Sequence, residues 1–510
     1  MAKKEVTTSS IYLMHKYWGK KPSNELSKIV SKYTTIGDII LDPFCGFGGI
    51  GIEGVLQNRN VILNDLNPSA TFISNVVLDA NVNLKRFEEV YKELKKQYEN
   101  FEKEWYTFKN INIQTILRDK NDTPIKIRGK SLESKDIIEY KLSDEEISEF
   151  VEKENRYRID TWYPTNELIN NSRISAKKGM RINDLFSKRA LICQSYLFDL
   201  INKIDDSPEK NLLLFSFTSN LANCSKLVPP ILSRGDMAQG AWMTGFYIGE
   251  TYLENNVFHY FENRVGKSLK GKKDYFELRE LNNVYTKYRI LNEDAKKLSI
   301  DNHSIDFVFT DFPYGDTVPY FEQSQLWNSW LKYSVDYENE IVVSDSKDRN
   351  KDILDFDRGI STSISEISRV LRENKFFVFT FHSLYGKEWN SIISALKNNN
   401  FRFIECEIML QKTLPPRQLN RINSIKGDIL VVYQKRSADN EIKDFDETLL
   451  LEFNKLRQKK NIFETNDLVV ACIKSMLITN YVMQDLEFKN LICKYFEIDE
   501  DSEKWKWKNN

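Results

Sequence analysis

Two short hydrophobic strands, each ending in a loop that carries a carboxylate, constrain this chain more than any other feature. Asp38-Ile39-Ile40-Leu41 runs into Asp42-Pro43-Phe44-Cys45-Gly46-Phe47-Gly48-Gly49. Far along the chain, Ile305-Asp306-Phe307-Val308-Phe309-Thr310 runs into Asp311-Phe312-Pro313-Tyr314. Behind the first loop, 49–56 reads as a helix. Asn60-Val61-Ile62-Leu63-Asn64 reads as a second buried strand ending at Asp65, and Pro68 suits the first turn of a further helix, where its missing N–H is harmless. Strand, loop, helix and strand at this spacing predict an α/β fold with a parallel, doubly wound sheet.

The sheet pattern stops near residue 80 and resumes near 286. Phe87, Val90, Tyr91, Leu94, Tyr98, Phe101 and Trp105 recur every three or four residues, one face of a long amphipathic helix. Residues 110–142 read as short strands turning at Asn121–Pro124, and Ser143-Asp144-Glu145-Glu146 has capping-box spacing. Residues 155–285 read as mainly helical. Strands follow at 376–381 and near 401–410 and 427–434, and a helical segment covers 436–510. The expected organisation is therefore 1–80 with 286–435 as one α/β domain, 81–285 as a mainly helical insertion, and 436–510 as a helical extension. Trp505-Lys506-Trp507-Lys508 reads as a frayed tail.

The 510 residues hold 73 Lys plus Arg against 74 Asp plus Glu, so no global basic excess marks a nucleic-acid binder. Positive charge is local: His15-Lys16-Tyr17-Trp18-Gly19-Lys20-Lys21, Lys177–Arg181 and Lys267–Lys273, each read by itself as a solvated loop. Six cysteines without a Cys-x-x-Cys pair, and four histidines apart from them, predict reduced thiols and no metal site. Met1–Val6 lacks an apolar signal segment and no run reaches membrane-span length, so a cytoplasmic protein without membrane association is expected.

Gly46-Phe47-Gly48-Gly49-Ile50-Gly51 fits G-x-G-x-x-G, with Asp65 about 20 residues on, which is also the nicotinamide dinucleotide fingerprint. A dehydrogenase is thus one reading. Asp42 argues for another: a carboxylate at the first strand's end repels a pyrophosphate but suits the cationic ammonium of S-adenosyl-L-methionine. At the second tip, Asp311 and the Phe312 carbonyl can each accept one hydrogen of an exocyclic amine, with Pro313 stiffening the turn and Tyr314 stacking on the base. Those acceptors localise the amine's lone pair toward a methyl donor. A base within a duplex reaches such a site only by flipping out. No Pro-Cys pair serves carbon-5 methylation of cytosine, and none of the 12 prolines precedes aspartate as a Pro-Asp nuclease motif requires.

At these residues the chain resembles the bacterial DNA amino-methyltransferases of adenine N6 and cytosine N4. The family's Lys-Pro and Asp-Pro-Phe-x-Gly-Ser-Gly fall on Lys21-Pro22 and Asp42–Gly48, with Phe47 in place of serine. Its Asp-Pro-Pro-Tyr falls on Asp311–Tyr314, with Phe312 in place of proline. The resemblance covers 11–80 and 285–435. It implies a Rossmann-like methyltransferase sheet and S-adenosyl-L-methionine held by Lys21, Pro22, Asp42, Pro43, Phe44, Cys45, Gly46, Gly48, Asp65, Leu66, Asp294 and Ala295. It implies catalysis by Asp311, Phe312, Pro313 and Tyr314, with no metal. Double-stranded DNA is the implied partner, read by 81–285, and a cognate restriction endonuclease or defence-system subunit is a further candidate. Asp in the first motif position favours adenine N6 over cytosine N4. A non-catalytic nucleic-acid-binding subunit, and an RNA or protein-glutamine methyltransferase, stay open beside it.

Overall fold

The computed structural model describes residues 8–382, 386–409, 427–436, 444–483, 488–499 and 504–508, so Met1–Val6 lie outside the described residues. The larger sheet contains β1 (Ile39–Asp42) and β2 (Asn60–Asn64) from the N-terminal segment. The insertion supplies a separate sheet of β3 (Thr107–Phe108), β4 (Ile111–Asp119), β5 (Pro124–Ser131), β6 (Ile137–Lys141) and β7 (Thr251–Asn255). The first sheet is then completed by β8 (Tyr288–Leu291), β9 (Ile305–Asp311), β10 (Leu371–Phe381), β11 (Phe401–Met409) and β12 (Asp428–Lys435).

Its seven strands lie in the order β11-β12-β10-β9-β1-β2-β8. The five from β10 to β8 are parallel, and β12 runs antiparallel between β10 and β11. From β1 the chain winds outward through β2 to β8, then returns to β9 on β1's other side. The winding direction thus reverses between β1 and β9, the switch point where open α/β sheets leave a crevice at their C-terminal strand ends. This is the parallel, doubly wound, Rossmann-like sheet expected from the sequence, and its two motif-bearing strands are neighbours.

Both faces of the sheet are covered, which is why its strands are nearly uninterrupted apolar runs. Ile40, Leu63, Phe307 and Val378 face one core, shared with the insertion. Leu41, Val308, Phe377 and Phe379 face the other, shared with the C-terminal segment. In the insertion, the helix Leu84–Tyr106 buries Phe87, Leu94, Tyr98 and Trp105 as its periodicity predicts. Ser143 and Glu146 form a complete capping box opening Asp144–Arg156. Helices Lys188–Asn202, Pro208–Leu221 and Val257–Leu281 follow. One strand, β7, lies in the stretch read as helical and pairs antiparallel with β4.

Two local expectations are corrected. Lys267–Lys273 is not a loop: it lies within the helix Val257–Leu281, where Lys272 is fully buried and donates to the carbonyls of Val77 (3.0 Å) and Asp79 (2.6 Å). The C-terminal tryptophans do not fray. Lys504–Trp507 forms β15, joined with β13 (Ile462–Phe463) and β14 (Phe496–Asp499), and buried Trp505 donates to Thr465 Oγ1 at 3.0 Å. All six cysteines are free. Among the described residues no cluster of His, Cys, Asp or Glu could hold a metal, and no helix is long and apolar enough to cross a membrane.

Candidate active site

The loop after β1 is held by backbone. Cys45 N–H donates to the Asn64 carbonyl (2.8 Å), Gly46 N–H to Asp65 Oδ2 (2.8 Å) and Gly48 N–H to the Cys45 carbonyl (2.7 Å). Two positions demand glycine. Gly46 has φ +50°, and a Cβ there would come within 2.8 Å of the Tyr17 ring. Gly48 has φ +82° and caps the helix Gly49–Leu56, and a Cβ would meet Ser74 Cβ at 2.9 Å. A turn with left-handed residues and no side chains lets a ligand approach the backbone.

Acids converge on this turn. Asp42 is buried, accepts from Phe44 N–H at 3.1 Å, and is driven well above the usual carboxylate range by burial. The Phe44 amide opposes that shift, and the charges of Asp65 and Asp311 add to it. Asp65, at the end of β2, also accepts from Asn67 N–H at 2.9 Å, and burial raises its pKa to about 6 against those amide bonds. Beyond β8, Asn292 Nδ2 donates to the carbonyls of Asp65 (2.7 Å) and Leu66 (3.0 Å), holding the Asp294-Ala295 loop beside them.

At the tip of β9 the Asp311 carboxylate is held by three neighbours. Oδ1 accepts from the Tyr314 and Thr380 hydroxyls, both at 2.7 Å; Thr380 lies opposite Asp311 in the β9–β10 pair. Oδ2 accepts from Lys21 Nζ at 2.8 Å. Burial raises the Asp311 pKa and the Lys21 ammonium opposes it.

One cavity, enclosing about 990 Å³ with its open mouth, joins both tips. Asp42, Pro43, Phe44, Cys45, Gly46, Asp65, Leu66, Asp294 and Ala295 line it, as do Lys21, Asp311 and Pro313. Four expected residues stand outside the lining. Pro22 is the N-cap of the helix Ser23–Tyr33, and Gly48 shapes the turn from behind. The Phe312 ring is fully buried against Phe44, Phe377 and Phe379, so the residue replacing the first proline anchors β9 in the core. Tyr314 is buried, 8% exposed, rather than presented as an open stacking surface, because its hydroxyl is held between Asp311 and Lys21.

Residues 2–76 match the family model described as DNA methylase. Over these residues the chain is similar to DNA methylases. The methylase match spans Lys21, the glycine turn and Asp65. No curated protein matches the chain. Among solved structures, a SAM-dependent methyltransferase from Methanosarcina mazei is 9% identical over 80% of this chain and 97% of its own, with a TM-score of 0.26. An rRNA methyltransferase from Streptomyces viridochromogenes is 10% identical over 85% and 95%, with a TM-score of 0.30. Superpositions this loose add nothing to the strand order.

Several cavity residues escaped the sequence reading. The run His15–Lys21, from which only Lys21 was expected at the site and which by itself reads as a solvated loop, also walls the cavity with Tyr17, Trp18, Gly19 and Lys20. His15 and Lys21 are buried, and Lys20 Nζ sits 3.4 Å from the centre of the Phe47 ring and donates to the Tyr12 carbonyl at 2.7 Å. Trp18 stacks on Trp327 at 4.8 Å, and Tyr320 stacks on Tyr17 at 6.5 Å. Two aromatics and a histidine among seven residues were the available signal for a wall. Asn339, Glu340 and Ile341 close another side. Glu340 is buried with Arg349, which also bonds Glu322 at 2.8 Å, and burial lifts the Glu340 pKa to about 8.

Proposed function

We propose that this chain is a DNA amino-methyltransferase that uses S-adenosyl-L-methionine, most specifically one that forms N6-methyladenine. The observation that carries the reading is the meeting of Asp311 with the glycine turn in one cavity at the switch point. The cradle fits the cofactor: a backbone approach kept open by glycines and carboxylates that a bound cation would relieve. Asp42 lies where an ammonium is favoured, Asp65 where ribose hydroxyls can donate, and Asp294 with Ala295 where an adenine ring can rest. When bound, S-adenosyl-L-methionine would supply an electrophilic methyl for the amine lone pair, its sulfur keeping the C–S electron pair.

The chain's own part is to bring the base to that methyl. Asp311 accepts one amine hydrogen, the Phe312 carbonyl accepts the other, and the surplus proton leaves through Asp311 to solvent. Trp18 and Tyr320, half-buried on the cavity wall, offer aromatic faces to an extruded base. The family model covers DNA methylases, and Asp at the first motif position favours adenine over cytosine in the resembling family. Residues 81–285 are assigned to DNA reading. Lys16, Arg264 and Lys267 support this: Lys16 lies over the Trp242 ring at 4.1 Å, and among the described residues none of the three pairs with a carboxylate within 4.0 Å. Uncompensated cations that lie close together suit a phosphate backbone. Domain limits of 1–80 with 286–435, 81–285 and 436–510, a cytoplasmic location and a nuclease or defence-system partner belong to the same reading.

The test is expression in a methylation-free bacterial host followed by single-molecule mapping of modified bases. N6-methyladenine within one sequence context is the expected result. N4-methylcytosine redirects the assignment, and an unmodified genome together with an inactive purified enzyme refutes it.

A further inference from the structure

Lys21 does not stop at Asp311. Its ammonium, 4% exposed, lies 2.8 Å from Asp311 Oδ2, 2.9 Å from Asp428 Oδ2 and 2.6 Å from the Tyr314 hydroxyl. Asp428, 6% exposed at the side chain, is the first residue of β12. Because β12 runs antiparallel to β10, it presents its first residue at the edge where the parallel strands present their last. Gly427, at φ +120°, precedes it, and its carbonyl bonds His382 Nδ1 at 2.8 Å. No motif in the sequence marks Asp428.

A carboxylate has about four lone-pair sites. On Asp311, two hydroxyls fill Oδ1 and the Lys21 ammonium takes one site on Oδ2, so the remaining acceptor site is on Oδ2. Gly19 borders that oxygen: a Cβ there would stand 3.4 Å from Oδ2 and 3.4 Å from the Tyr320 hydroxyl. The absent side chain leaves the Oδ2 side open toward the cavity wall.

Charge decides what the second acid is for. As the amine attacks, its nitrogen becomes positive, and a carboxylate helps only while its own charge is not cancelled. An ammonium bound to Asp311 alone would cancel it. We propose that Asp428 is a positioning residue: it shares the Lys21 ammonium with Asp311, fixing the Asp311 carboxylate and keeping the ammonium's charge from being spent on Asp311 alone. Lys21 then serves the transfer site rather than the cofactor. The inference rests on the methylation reading above.

The test compares wild type, Asp428→Asn and Asp428→Glu in single-turnover transfer of tritiated methyl to DNA from a methylation-free host. A misplaced reacting group of this kind lowers a rate by about 10- to 100-fold, and that loss is expected for Asp428→Asn with unchanged cofactor affinity by calorimetry. Asp428→Glu, which keeps the charge, should recover most of it. A second readout needs no activity: in the cofactor-free enzyme, Asp428→Asn should lower the unfolding midpoint more when Lys21 is present than in a Lys21→Met background, because a buried ammonium then loses a partner. Wild-type rates in Asp428→Asn, or equal midpoint shifts in both backgrounds, overturn the inference. A wild-type enzyme that methylates no DNA overturns the methylation reading instead, and the midpoint comparison still decides whether Asp428 acts on Lys21.

Discussion

The two strand tips that meet at the switch point are held by different forces. After β1 the structure is made by backbone: amides closing on carbonyls and on Asp65, and glycines at φ values that other residues rarely adopt. After β9 it is made by side-chain charge: one carboxylate, one ammonium, a second carboxylate and two hydroxyls drawn from four separate segments. The first arrangement is local and tolerant of side-chain change, which is why Phe47 can stand where the resembling family has serine. The second is non-local, so one substitution unbalances several partners at once. A loop that binds by shape and a tip that works by charge are what a cofactor cradle and a transfer site respectively require.

Substitutions at each tip sharpen that contrast. The largest effect is expected at β9: Asp311→Ala should remove methyl transfer by about 3–4 kcal/mol or more, comparable to losing one preorganised charge partner, while calorimetry finds cofactor binding largely intact. Incorporation of tritiated methyl at near wild-type rate would break the assignment. At the other tip, Asp65→Ala should weaken cofactor binding by about 1.5–3 kcal/mol, the usual worth of a hydrogen bond to a charged group, with a smaller effect on the rate at saturation. Unchanged affinity would remove Asp65 from the ribose site. Gly48→Ala should destabilise the fold by about 1–3 kcal/mol through its left-handed backbone, measured by denaturant unfolding.

The smallest effect is one of pH. Burial raises the Asp65 pKa from 3.8 to about 6, so the folded apo protein holds this proton where the unfolded chain has released it. Between those values apo stability should fall as pH rises, and the penalty is complete above about 6. Ribose donors favour the charged form, so cofactor affinity should rise through the same window, and Asp65→Asn should flatten that rise. An unaltered pH profile in the variant would assign the titration to another group.

What could be read in advance follows the same division. β1, the helix Gly49–Leu56, β2 and the Pro68 helix start are local, and apolar runs with glycine and proline punctuation mark each. The capping box at Ser143 was equally legible. β7 was not, because pairing with β4 across more than a hundred residues turned a short apolar stretch into a strand. The burial of Trp505 depended likewise on its partner strands. His15–Lys21 looked like a solvated basic run because charge pattern alone does not reveal that two acids and the Phe47 ring await its lysines.

The chain by itself determined the winding of its first two strands, the left-handed glycine turn, and two carboxylates at strand ends; these follow from side-chain size, backbone freedom and burial over a few residues. Only the tertiary structure decided that β9 returns beside β1, that an antiparallel strand brings Asp428 to the tip, and that Lys21 bridges two acids there. Those choices rest on hydrogen bonds, charges and packing between segments some 290 to 400 residues apart, which no local pattern encodes.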